Sequence, residues 1–371
     1  MGLWGETIQP NRNRILAYAA GIAVLFLAPS ILPTYGTGAV LLDVLSLTLV
    51  YGIVAIAVNL LLNYTGLLSF GHALYFGAGV YTVAFFSFNF GLFNFDYLML
   101  LSIVISLIVA AVFGALCVRH TAVYFMILTF SLQEIVHIVL HKLYYIYMYG
   151  LPSIPTGGSE GLPILIPVSR KYETVIFGMK YTGERWRILF VHDVFYYYVL
   201  ISFVICVVAM WIIVNSPLGK TLRALKTNPL RAEFVGVRVK LHRWIIFVIS
   251  GVFSGVAGAL WAPVTGFVDP HIFHWEFAGA FVFMAVLGGS RVFLGPLLGA
   301  FLYVGLRHVL YGLTTYYTGI LGIILVICVI TFPRGVLGEV MRLREAGYIQ
   351  LNTVANLKSY IKLRFSRREA S

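Results

Sequence analysis

The chain has 371 residues, 60% of them hydrophobic and 11% charged, with a mean hydropathy of +0.92. Such a composition excludes a soluble globular domain, and apolar runs that are continuous rather than alternating exclude a membrane β-barrel. The formal net charge of +12 does not point to nucleic acid here, because in a chain this apolar the basic residues are read by where they fall between spans.

Taken in order, the apolar runs predict an all-α polytopic membrane protein with about nine or ten passages, each crossing ~30 Å of hydrocarbon. The first run, 16–32, follows Arg12 and Arg14 and resembles a secretory signal. It is longer than most signal cores, and "PSILPTYGTGA" is a poor cleavage context, so it is expected to be retained as a span. Regular spans are expected at 40–62, 98–118, 122–140, 195–214 and 245–262, and less regular ones at 67–90, 277–310 and 316–332. The expected division is a cytoplasmic N-terminus (1–14), a transmembrane domain (15–333) and a basic cytoplasmic tail (334–371). Between Asn215 and Arg243 seven Lys or Arg stand against one acidic residue, and after Pro333 eight stand against three. Both segments, and Arg119 at a short turn, are therefore placed in the cytoplasm. The long segment 141–194 falls outside, since long loops cross largely regardless of charge. Cys117, Cys206 and Cys328 all lie inside apolar runs, with neither metal nor disulfide spacing.

Two stretches suit a bilayer badly. "NYTGLLSFGHALYFGAGVY" (63–81) carries Gly66, Gly71, Gly77 and Gly79 with Asn63, Ser69 and His72, and Asn59 precedes it by one turn. "LGGSRVFLGPLLGAFLY" (287–303) carries Gly288, Gly289, Gly295, Pro296 and Gly299 in a run too long for one span, and is expected to turn back at 288–291. Small residues let helix backbones approach where lipid gives no hydrophobic drive, and broken helices survive at membrane depth only against protein or a water-filled cavity. Two such segments, one in each half, point to inverted repeats with a solute path between them; tight packing seams would look the same. Asn59, Asn63, Gly66, Ser69, Gly71, His72, Gly288, Gly289 and Pro296 are the candidate path residues.

Three motifs mislead. "LGKTL" (218–222) contains the GKT of a phosphate-binding loop, but that loop's leading glycine falls at Val214 or Asn215 and is absent, so no ATP site is expected in this chain. Glu134, His137 and His141 share one helix face at i, i+3 and i+7, which could ligate a metal; no further ligand lies near in sequence, and the expectation is no metal but a polar pathway face. "NYT" at Asn63 is a glycosylation sequon placed at membrane depth on the cytoplasmic side. The tail from Glu339 mixes Arg and Lys with Leu, Ile and Tyr, as expected of a helix lying on an anionic leaflet.

The segment "SPLGKTLRALKTNPLRAEFVGVRVKLHRW", with the opening glycine stretch, "TGGSEGL" (156–162), "QEIVHIVL" and "LGGSRVFLGPLLGA", resembles the LivM-type permease subunit of bacterial and archaeal branched-chain amino-acid ABC importers over about residues 42–332. The motifs fall in the family's order. The resemblance implies a translocation subunit that is not itself an enzyme and needs no cofactor, ATP being bound by partner subunits. It also implies a bacterial or archaeal cytoplasmic membrane with both termini cytoplasmic. The implied partners are a second, homologous permease, two cytoplasmic ATPases and an extracytoplasmic solute-binding protein. Arg231, Ala232, Glu233 and Gly236 match the family's loop that docks into the ATPase, with Asn228 and Pro229 reading as a helix start. Gly157, Gly158, Ser159, Glu160 and Gly161 match the external loop where the receptor docks. Two departures fall on the outer side: His137, where the family often has a basic residue, and an insertion after Pro167. They leave the cargo open between branched-chain or other small amino acids and urea, short amides or small carboxylates. An ion-coupled carrier using Glu134 and His137, or a passive channel, are the rivals from other classes.

Overall fold

The structure, a computed structural model, describes residues 12–32, 37–120, 122–146, 154–166, 174–176, 179–181, 194–332 and 334–345. Ten apolar helices form the body: α1 (Arg12–Ile31), α2 (Thr37–Tyr64), α3 (His72–Phe90), α4 (Phe95–Cys117), α5 (Ala122–Lys142), α6 (Tyr196–Asn215), α9 (Val239–Thr265), α10 (Trp275–Gly288), α11 (Gly295–Leu313) and α12 (Tyr317–Thr331). Three helices outside this body are polar or amphipathic: α7 (Pro217–Thr227), α8 (Pro229–Phe234) and α13 (Val336–Glu345). Eight helices among the described residues are long and apolar enough to span a bilayer, and α10 is apolar but shorter. The all-α polytopic architecture read from the sequence is thus the one observed.

At the centre α2, α3 and α9 pack together, with α4 against α3 and α9, and with α6, α10 and α11 against α2. Since lipid cannot drive apolar helices together, small residues and hydrogen bonds must hold them. A Cβ on Gly79 would lie closer than 3.0 Å to backbone atoms of Gly255, and one on Gly258 would do the same to Phe76, so α3 and α9 meet backbone to backbone. Hydrogen bonds cross the same seams. Trp244 Nε1 donates to the Ala111 carbonyl (3.0 Å), Trp261 Nε1 to the Tyr51 hydroxyl (3.1 Å) and Ser102 Oγ to the Gly255 carbonyl (3.3 Å).

Chain breaks interrupt this body at the two glycine stretches. After α2 the chain runs without helix from 65 to 71, where Gly66 takes φ +74°; after α10 it runs from 289 to 294, where Gly289 takes φ +110°. Both positions need glycine, because a side chain would strain a left-handed backbone. The body has two opposite rims. One carries both breaks, α7, α8 and α13. The other carries the ends of α3 and α5, the start of α6, and three two-stranded antiparallel ladders: β1 (Tyr145–Ile146) with β2 (Ile154–Pro155), β3 (Leu162–Pro163) with β6 (Phe267–Val268), and β4 (Thr174–Ile176) with β5 (Met179–Tyr181). Of the insertion after Pro167, only the strands β4 and β5 are described.

Two local expectations differ from the structure. Helix α9 already begins at Val239, so the polar connection after α6 ends earlier than residue 243. At the start of the tail, α13 packs on α10 and α11 with Glu339 only 2% exposed, and the chain at Gly335 lies against Gly289. This stretch therefore covers the second break instead of lying on a lipid surface; residues 346–371 lie outside the described structure.

Candidate functional site

The connection between α6 and α9 is built as a rigid projection. Pro217 opens α7, and Gly219 lets the chain turn tightly, since a Cβ there would strike the Val214 carbonyl. Arg223 lies over the Tyr64 ring at 5.5 Å and donates from Nη2 to the Val214 carbonyl at 3.0 Å. Asn228 then caps α8, its Oδ1 accepting from the Arg231 amide at 3.0 Å, with Pro229 in the first turn, where its missing N–H costs nothing. The helix ends in a paired-bond cap: the Gly236 amide donates to the Glu233 carbonyl (2.9 Å) and the Val237 amide to Ala232 (3.0 Å), with Gly236 at φ +91°. A six-residue helix cannot hold itself; the two caps and the packing of Ala232, 9% exposed, fix it.

What this helix presents was not read from the sequence. Leu230 is 68% exposed, Phe234 89% and Val235 84%, an apolar ridge at i, i+4 and i+5 facing away from the body in a strongly basic segment. Alternation of apolar residues with Arg231 and Glu233 concealed it; the available signal was large apolar residues inside a loop that the charge places in water.

The first glycine break meets α7 at one side chain, whose charge also feels the second break. The Lys226 ammonium donates to the Asn63 carbonyl at the end of α2 (2.8 Å), and a Cβ on Gly66 would stand 3.4 Å from Lys226 Cγ. Burial, with the neighbouring Arg291 guanidinium of the second break, pushes the Lys226 pKa below its usual value. A displacement of α7 therefore reaches the first break through Lys226.

The sequence-named path residues fall into separate groups. His72 is 1% exposed, its Nε2 at 2.7 Å from Ser250 Oγ, which itself donates to the Ala57 carbonyl (2.6 Å). His72 thus ties α3, α9 and α2 together, as a structural knot. Ser69 Oγ accepts from the Gly71 amide at 3.2 Å, and Thr129 on α5 both accepts from the Phe70 amide (3.3 Å) and faces Gly71. Asn59 is 1% exposed and its amide finds no hydrogen-bond partner among the described residues, so it is available to a solute or water if the helices part. Gly288 and Pro296 are buried where α10 and α11 fold back on each other. Glu134 and His137 are not with these groups. They pair at 2.9 Å towards the far end of α5.

There His137 meets a second chain segment that sequence spacing did not reveal: its ring centroid lies 5.1 Å from that of His274, and His274 stacks on His271 at 4.9 Å. The neighbouring "TGGSEGL" loop is held rather than loose. Gly157, Gly158 and Gly161 all take positive φ, β3 pairs with β6, and Thr156 Oγ1 donates to the Leu143 carbonyl at 2.5 Å. Ser159 and Glu160 are exposed at its tip, with Ser159 Oγ 2.5 Å from the Tyr144 hydroxyl.

The family model described as "Branched-chain amino acid transport system / permease component" matches residues 40–330. The chain belongs to this family. The match spans both glycine breaks and the α7–α8 projection, and makes the chain a membrane translocation component of an ABC-type transporter, as the resemblance implied. The high-affinity branched-chain amino acid transport system permease protein LivM of Salmonella typhimurium is 26% identical over 312 residues, covering 80% of this chain and 69% of that protein. LivM of Escherichia coli is 27% identical over 330 residues, covering 86% and 74%. The D-allose transport system permease protein AlsC of Escherichia coli is similar over 97 residues only, at 29% identity, 26% of this chain and 29% of that protein. No solved structure matches the chain.

Proposed function

We propose that this permease is one of two homologous membrane subunits of an ATP-driven importer for branched-chain or other small amino acids, and that it moves solute by alternating access. The rim with α7, α8 and α13 is cytoplasmic, in keeping with its basic charge. The opposite rim receives a solute-binding protein, with Ser159 and Glu160 in the surface it meets. Two separate ATPase subunits supply the energy.

The observation that carries this reading is the α8 ridge. Leu230, Phe234 and Val235 are held out on a doubly capped helix, next to the helix whose Lys226 holds the Asn63 carbonyl at the first break. An exposed apolar ridge on a rigid mount is unfavourable in water and marks a protein contact. Closure of the ATPases on nucleotide would move α8, α7 would carry the motion through Lys226 to the end of α2, and the broken helices would tilt. The chain's own conformations need no covalent step; the bias between them comes from the partners. An ion-coupled carrier would have no use for such a projection.

The test is Phe234→Asp in the assembled complex. With its side chain 89% exposed, the variant folds normally but loses an anchor of the type worth at least about 2 kcal/mol, so ATPase binding weakens by about 30-fold. Uphill flux driven by the isolated permease in liposomes, with no ATPase present, would refute the proposal outright.

A further inference from the structure

On the rim opposite α8, the turn between α9 and α10 brings together side chains that amino-acid transport does not explain. Asp269 caps a short 3-10 turn, Pro270–Phe273, its carboxylate accepting from the His271 amide at 2.9 Å. The His274 amide then donates to the His271 carbonyl (2.9 Å), and the His274 carbonyl accepts from Phe277 (3.1 Å). The backbone of this turn is thereby fixed, and it delivers His271, His274 and Glu276 to one place, with one ligand-type atom from each lying within 4.8 Å of the others.

We propose that His271, His274 and Glu276 form a binding site for a divalent transition metal of the zinc class. Two imidazoles and one carboxylate, with a fourth position left to water, is a donor set that zinc accepts, whereas calcium and magnesium require shells made of oxygen. The ligand atoms around a tetrahedral zinc stand about 3.3 Å apart, so the three groups need close only a short distance on the ion. Glu276 already stands 3.7 Å from His271 Nε2.

The surroundings favour a cation in two further ways. His274 is packed between the rings of His271 and His137, and among the described residues its Nδ1 is enclosed without a hydrogen-bond partner, as is Glu134 Oε2 in the same cluster. Unspent buried polar atoms are costly unless something binds them. Glu134 Oε1 meanwhile engages His137 Nδ1 at 2.9 Å, so this carboxylate adds negative charge behind the site while orienting the flanking ring. An ion held here would fasten the start of α10 to the turn below α5, on the rim where solute arrives.

The experiment uses the full-length permease in detergent micelles, carrying no histidine tag, stripped with chelator and titrated with zinc chloride. One zinc per chain is expected, and a large excess of magnesium should not displace it. His271→Gln and Glu276→Gln replace side chains that are about half exposed, so they fold, and each should weaken binding at least tenfold. His141→Gln, whose ring lies beside that of His137 and outside the three-ligand group, should leave it unchanged. Binding below one equivalent, equal binding of magnesium, or zinc affinity unaltered in both His271→Gln and Glu276→Gln would overturn the site. Zinc binding lost in His141→Gln alone would assign the ion to the α5 face and overturn it equally.

Discussion

Gly79→Ala and Gly305→Ala are the same chemical change in two membrane helices, and the structure gives them opposite signs. A methyl on Gly305 meets nothing within 4 Å, so only helix propensity acts, and the isolated permease should gain up to about 1 kcal/mol. A methyl on Gly79 meets Gly255 O, Gly255 C and Ala259 N, all backbone atoms that no rotamer change can move. Helices α3 and α9 must therefore part by on the order of 1 Å. A gap of that size removes a quarter or more of the dispersion contacts it spans. With ~50 contacts per buried side chain at about 0.1–0.2 kcal/mol each, the loss is on the order of 1–2 kcal/mol for each flanking residue. Phe76 and Val83, both fully buried on α3, bring it to ~2–4 kcal/mol, and the propensity gain leaves a net destabilisation of about 1–3 kcal/mol. Gly258→Ala strikes Phe76 across the same seam. One separation relieves both clashes, so the double variant should be less destabilised than the sum of the singles. Thiol-dye uptake by Cys117 and Cys206, 1% and 6% exposed, reports unfolding on heating or in denaturing detergent, in a Cys328→Ser background. Equal melting of the Gly79→Ala and Gly305→Ala variants, or strict additivity of Gly79→Ala with Gly258→Ala, would show that the backbones do not touch as described.

Gly71→Leu places a branched side chain where even a Cβ stands 3.3 Å from Thr129 Cβ; it should displace α5 from the first break and lower uptake severalfold, and unchanged uptake would mean that the position faces lipid. Lys226→Met removes the donor to the Asn63 carbonyl and the charge beside Arg291. ATP hydrolysis by the assembled complex should persist while uptake per ATP falls several-fold, with Lys226→Arg partly restoring it; a proportional fall in both rates would make Lys226 part of the docking surface instead of the linkage.

Much of this architecture was open to sequence reading because the bilayer makes composition informative. Continuous apolar runs located the helices, and the turn-back expected at 288–291 is found at 289–294, where Gly288 and Gly289 interrupt an apolar run too long for one span. Asn-Pro at 228–229 and Gly236 marked the ends of α8 because capping depends on residue type at fixed offsets. What the sequence hid were relations between distant segments. His72 looked like a path residue because a histidine in a span is costly, and its Nε2 proves to meet Ser250, 178 residues away. His271, His274 and Glu276 attracted no notice because they straddle a turn and a helix start, where no periodic spacing announces a shared face; only the cap by Asp269 brings them together. Phe234 and Val235 read as ordinary helix residues, and only their exposure shows that the fold holds them out as an apolar ridge. Residue type therefore sets where helices start, break and stop, while the use of each polar or apolar group is set by what the fold places opposite it, so substitutions chosen from Glu233 and Gly236 alone would probe the mounting of α8 and leave its contact surface untested.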